Sequence, residues 1–229
     1  MMVPPGARDL FTAAHWNDRV LTTVPAPERV VDAVTARTRL LLAREVPLAT
    51  WTRLAGLPDG ATATILPQPG SVTGVRVAAY HPWFDGPAYR VFHRDEHGRL
   101  AAVNEYLRLK VDTRDGVGTR MLAHQALQTK QAGFVYIYAD AEGSAGGTMN
   151  GYYTWARLGF DGSIPAAVRA RLPLELSGCH SVLDILEREG GAAWWREHGR
   201  TFSGTFDLRD GSRSIAVLQA YTKTRGIRV

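Results

Sequence analysis

Between Leu100 and Ala139 the sequence changes its periodicity repeatedly, and that succession constrains the fold more than any other stretch. Leu100 to Val111 alternates and reads as a long strand. Asp112 to Gly118 is a glycine-bearing loop. Thr119 to Ala132 then has helical periodicity. Val117, Met121, Leu122, Ala126 and Ala132 fall on one half of the helix, and Arg120, His124, Lys130 and Gln131 on the other. Gly133 stops it. Phe134 to Ala139 has no polar gap, so it is expected to be a strand covered on both faces. Strand, glycine loop, helix and buried strand make a βαβ unit, whose two strands should run parallel.

Upstream, Val75 to Tyr80, Tyr89 to Phe92 and the Asp95-Glu96-His97-Gly98 turn predict an antiparallel meander leading into Leu100. Residues 1–27 read as irregular, Glu28 to Arg44 as a helix ended by Pro47, and Gly56 to Gly74 as loop-rich. Downstream, Gly143 to Gly151 is a loop of small residues. Helices are expected at Tyr152 to Leu158, Pro165 to Arg171, Val182 to His198 and Ser212 to Thr224, with a strand at Thr201 to Leu208. The expected class is α/β: a mixed, mostly antiparallel sheet with a central parallel strand pair, flanked by helices, with extra helices at both ends. Residues 1–70 would form an added layer and 71–229 the main domain, in one compact unit overall.

Composition narrows the function. The chain has 229 residues, 45% hydrophobic and 21% charged, the balance of a globular protein. A single cysteine, Cys179, excludes an internal disulfide framework and a four-thiolate metal site. No stretch approaches the roughly 18 uncharged apolar residues of a membrane span. The start, MMVPPGARDLF, lacks the apolar run of a signal peptide, so a cytoplasmic location is expected. The 27 basic residues outnumber 22 acidic ones, an excess that tolerates an anionic ligand. The arginines are scattered, so nucleic acid is not expected as a partner, nor is a membrane. His93, His97, His124 and His198 have no ligand-like spacing, and no metal is expected.

Two motifs carry chemistry. Asp115-Gly116-Val117-Gly118-Thr119-Arg120 opens the helix at 119, and such glycines let backbone N–H groups approach a phosphate or pyrophosphate at a helix N-terminus. A tight strand-to-helix turn is the plainer reading. The motif is neither a Walker loop nor the dinucleotide fingerprint, for want of the Gly-Lys-Ser/Thr ending and of a third glycine. The second motif is Asn150-Gly151-Tyr152-Tyr153-Thr154-Trp155-Ala156-Arg157-Leu158-Gly159-Phe160, a short aromatic helix ending in Gly-Phe.

Over about Val75 to Phe160 this combination resembles the GNAT superfamily of acyl-CoA-dependent N-acyltransferases. Gly116 and Gly118 match the glycines of the family's pyrophosphate loop, and Gly159-Phe160 the end of its Tyr-x-x-x-Gly-Phe helix. Thr113 stands at the loop's Gln/Arg position, with Arg114 one place later, and Trp155 stands where the family often has an acid tyrosine. The resemblance implies acetyl-CoA or another acyl-CoA as cosubstrate. It implies a donor site at Leu109, Val111, Arg114, Gly116, Val117, Gly118, Thr119 and Trp155. Splayed parallel strands at Leu109–Val111 and Val135–Tyr138 would admit the pantetheine.

Glu105 is the only charged residue on the apolar parity of its strand, with Ala101, Val103, Leu107, Leu109 and Val111. A carboxylate buried there would have a raised pKa and could serve as a general base. The resemblance gives a glutamate on this strand that role toward the acceptor amine. The structural alternatives are an ion pair with a nearby arginine, or a β-bulge that turns Glu105 outward. Tyr152 is the candidate donor to the leaving thiolate, with core packing as its alternative. His81 reads first as a satisfied core histidine, and Cys179-His180 as structural. The function expected is N-acyl transfer, most simply acetyl transfer, to an amine on a small molecule, peptide or protein. The alternative is a catalytically degenerate GNAT-shaped module for binding or assembly. A homodimer is left open.

Overall fold

The computed structural model describes residues 21–22, 28–110, 113 and 116–227. The chain forms two compact units, Met1–Val135 with Thr222–Val229, and Tyr136–Tyr221. The division falls at Val135 rather than near residue 70, because the early segments pair and pack with the strands that follow.

In the first unit, β1 (Leu21–Thr22) runs parallel to β2 (Thr62–Pro67). From β2 onward the pairing is antiparallel through β3 (Val75–Tyr80), β4 (Ala88–Arg94) and β5 (Leu100–Tyr106). Among the described residues, the helices α1 (Glu28–Leu42), α2 (Leu48–Leu54) and α3 (Val117–Gln131) accompany them. β2 lies in the stretch expected to be loop-rich, and α2 in a stretch where no element was expected. Ala61, Ala63 and Ile65 are buried on alternate positions, which is strand grammar hidden among prolines and glycines. Pro47 starts α2 instead of closing α1, since proline fits the first positions of a helix. Trp51 of α2 packs on Phe92 of β4 at 5.3 Å between ring centroids, and Phe92 on Phe134 at 5.6 Å.

The second unit is built on the antiparallel pair β6 (Tyr136–Ser144) and β7 (Arg200–Asp207). Around it lie α4 (Gly151–Arg157), α5 (Ala166–Arg169), α6 (Val182–Glu187), α7 (Gly191–His198) and α8 (Arg213–Thr224). The expected single helix from Val182 to His198 is two, because Gly190 sits at φ 70° and breaks the run. Trp195, Phe160 and Phe206 are fully buried here. The protein is therefore α/β with mostly antiparallel pairing. Among the described residues no helix is long and apolar enough to cross a membrane, and no group of three or more His, Cys, Asp or Glu could hold a metal.

Candidate functional site

The strand expected to reach Val111 stops at Tyr106. The cause is a β-bulge. Tyr89 faces Tyr106, but the next residue, Arg90, faces Asn104, so Glu105 is the extra residue on β5. Beyond the bulge the chain turns to a new partner. Leu109 bridges antiparallel to Phe84, Lys110 N–H donates to the Trp83 carbonyl at 2.9 Å, and Asp85 N–H donates to the Arg108 carbonyl at 2.8 Å. Leu109 is thus not part of a parallel strand, and Val111 lies outside the described residues, as does Arg114.

The bulge reverses the parity on which Glu105 was placed in the core. Ala102 and Asn104 are buried, while Glu105 is exposed. Its carboxylate meets the Arg76 guanidinium at 2.8 Å, with its side chain 33% exposed. Arg76 also lies over the Tyr89 ring, 4.4 Å from the centroid. Both structural alternatives hold together: outward bulge and arginine partner. Glu105 is thus a paired carboxylate at the sheet surface rather than one enclosed by apolar side chains.

Two polar devices hold the bulge. Arg90 is almost wholly buried, and its Nη1 donates to the Tyr89 carbonyl at 2.9 Å and the Tyr106 carbonyl at 3.1 Å. Burial lowers its pKa to about 10, because a guanidinium in an apolar surround loses its hydration. Asn104 and Gln125 exchange reciprocal amide bonds, Asn104 Nδ2 to Gln125 Oε1 at 2.9 Å and Gln125 Nε2 to Asn104 Oδ1 at 2.8 Å. Asn104 is on β5 and Gln125 on α3, so the pair fixes helix against strand on either side of the glycine loop. Sequence reasoning named neither Arg90 nor this pair. No local signal marked them, because a polar residue on the opposite parity from the apolar set reads as surface.

Gly116 caps α3 at φ 93°, a left-handed conformation that disfavours any residue with a Cβ. Among the described residues, a Cβ on Gly118 would come into van der Waals contact with Leu109 Cδ1, at 3.4 Å. Val117 and Thr119 turn their side chains inward, 2% and 7% exposed. Leu109, Gly116 and Gly118 lie together at the N-terminus of a fifteen-residue helix. The first N–H groups of such a helix have no partner within it, and its dipole favours an anion there.

His81 is a satisfied histidine. Its Nε2 lies 3.2 Å from the Asp59 carbonyl, and its Nδ1 accepts from the Trp83 N–H at 3.1 Å. A carbonyl only accepts, so Nε2 carries the proton and the ring is neutral. Burial lowers its pKa, against a smaller upward pull from Asp59.

In the second unit, Tyr152 is 4% exposed and its hydroxyl donates to the Arg196 carbonyl at 2.6 Å. Burial raises its pKa, offset in part by the field of Arg196. The phenol expected as proton donor thus has its proton engaged by the backbone. Trp155 packs edge-on against Phe160 at 4.9 Å. Cys179 is buried and His180 exposed, so they form no reactive pair. Comparison of the chain with protein families and with curated proteins finds no match.

Proposed function

We propose that this chain is an acyl-CoA-dependent N-acyltransferase, with acetyl the simplest group moved. One observation carries the reading. In the first unit a strand bulged at Glu105 precedes a left-handed glycine, Gly116, that caps a fifteen-residue helix with Gly118 in its first turn against Leu109. The loop fits a pyrophosphate: backbone N–H donors, the positive end of a helix dipole, and no Cβ to obstruct approach. The N–H groups of Val117, Gly118 and Thr119 would hold that group, and Leu109 would line the path beside it.

Glu105 would work from the rim of the sheet. Arg76 holds its carboxylate in one position, and its exposure leaves it accessible to an amine. Glu105 accepts the proton that the amine sheds, directly or through water. The amine nitrogen bonds to the acyl carbon as the carbon–sulfur bond breaks. The proton passes on through solvent to the sulfur, so the products are an amide and a thiol. Tyr152 has no part in this scheme, because its hydroxyl proton is committed to Arg196 O. Placement of the two reactants supplies much of the acceleration. The acceptor class is an amine on a small molecule, a peptide or a protein.

The engaged Tyr152 and the packed Trp155 favour a second reading, a GNAT-shaped module that binds coenzyme A without turnover. Calorimetry with coenzyme A and thiol release from acetyl-CoA over an amine library separate the two. Binding with release supports the enzyme, and binding without release the module. Gly118→Val should abolish coenzyme A binding while circular dichroism stays unchanged. Equal affinity in that variant would remove the loop as the site.

A further inference from the structure

The second unit holds an arginine cluster that the acyltransferase reading leaves unused. A cleft of about 480 Å³ is lined by Ala145, Gly146, Tyr153, Ala193 and Arg196, among others. The Arg157 guanidinium lies 4.5 Å from the centroid of the Tyr153 ring and 5.2 Å from that of Tyr221. Arg196 approaches the same Tyr153 ring at 5.8 Å. The fields of Arg196 and Arg200 both fall on the adjoining Tyr152 phenol. Arg157 and Arg196 have aromatic partners but, among the described residues, no carboxylate partner. Arg213 of the same unit is the contrast, with Asp184 and Glu187 at 2.8 and 2.6 Å. Arg157 Nε is buried and without an acceptor. Glu197, the one acid on the cleft lining, has its carboxylate 4.0 Å from His198 Nε2.

We propose that this cleft binds the phosphate group of a small organic phosphate. Stacking on tyrosine fixes a guanidinium in place without neutralising it. A cluster fixed in this way retains its charge for a ligand. Planar guanidinium donors match phosphate oxygens, and a dianion answers more than one arginine where a carboxylate answers one. Arg196 makes the direct contact. Arg157 holds Tyr153 and adds charge from behind. The small side chains of Ala145, Gly146 and Ala193 leave room for the organic part, in a volume within the range of about 300–1,000 Å³ usual for ligand sites. The site shares no residue with the Gly116–Thr119 loop and does not rest on the acyltransferase reading.

The test is calorimetry on the full chain at low ionic strength with AMP, inorganic phosphate and adenosine. AMP should bind, inorganic phosphate should compete with it, and adenosine should not bind. Arg196→Gln should weaken AMP at least about tenfold, the worth of a charge-assisted contact. Arg196 is exposed, so this variant should keep its fold, and Arg200→Gln is a second exposed variant expected to weaken AMP less. Gly118→Val should leave AMP affinity unchanged, which separates this site from the helix-cap loop. The proposal is overturned if AMP does not bind, if adenosine binds as well as AMP, or if phosphate fails to compete. It is also overturned if Arg196→Gln binds normally, or if Gly118→Val alone abolishes binding.

Discussion

The Asn104–Gln125 pair is the part of the first unit most exposed to a quantitative test. Asn104 is 5% exposed and Gln125 1%, and each amide both donates to and accepts from the other. Gln125→Leu leaves the Asn104 donor and acceptor buried without partners. Each orphaned buried group costs about 1–3 kcal/mol, so the single variant, which orphans two, should lose roughly 2–6 kcal/mol. Asn104→Leu should cost a similar amount by orphaning Gln125. The double variant removes both amides at once and should lie within about 1 kcal/mol of wild type, since an apolar pair of similar shape has nothing to leave unsatisfied. The singles should melt roughly 4–24 °C below wild type, on the usual scale for a domain of this size. Urea denaturation gives the coupling energy through the double-mutant cycle. Coenzyme A affinity should fall in the singles and recover in the double, because the pair sets the body of α3 against the end of β5. If the double variant loses the sum of the two singles, the pair is not coupled and the argument fails.

Other expectations follow from the same geometry. Glu105→Gln should lower stability by no more than about 1 kcal/mol, the ordinary worth of a partly exposed ion pair, while cutting turnover roughly 10²-fold; a fully active variant would end its role as the base. Gly116→Ala should destabilise by about 1 kcal/mol, because alanine must adopt a left-handed conformation, and unchanged urea midpoints would contradict the φ of 93°. Burial pushes the Asp184 carboxyl up, but the His180 N–H, the Arg213 guanidinium and the Ser181 N–H outweigh it and hold it at about 2. A carboxyl depressed in the folded state contributes stability above its unfolded pKa near 3.8, and loses it as pH falls toward 2. Asp184→Asn should therefore be less stable at pH 7 and show a flatter loss between about pH 4 and pH 2; parallel acid-melting curves would refute this.

Local pattern settled most of the elements. The helix at Thr119 to Ala132 and the strands at Val75 and Thr201 were legible because each has one face in the core, and burial on one face writes its period into the sequence. Gly116 was legible as a turn for a related reason: a left-handed cap admits little else. The site resisted the same reading. Parity counting assumes that every residue advances the pleat by one step, and the bulge at Glu105 breaks that assumption. Which strand faces the bulge, and that Arg76 waits there, depend on β3 and β4, far away in sequence. Arg90 and the Asn104–Gln125 pair were invisible for the opposite reason: a polar residue looks like surface until its partner is known. Tyr152 was nominated by its place beside Trp155, but Arg196, on another helix, decided where its proton goes. The sequence by itself thus determined most of the helices and strands, though not β2 or α2, and several of the turns between them. Only the tertiary structure decided which polar groups meet, because hydrogen bonds and ion pairs act over about 3 Å between residues whose separation along the chain no local period records.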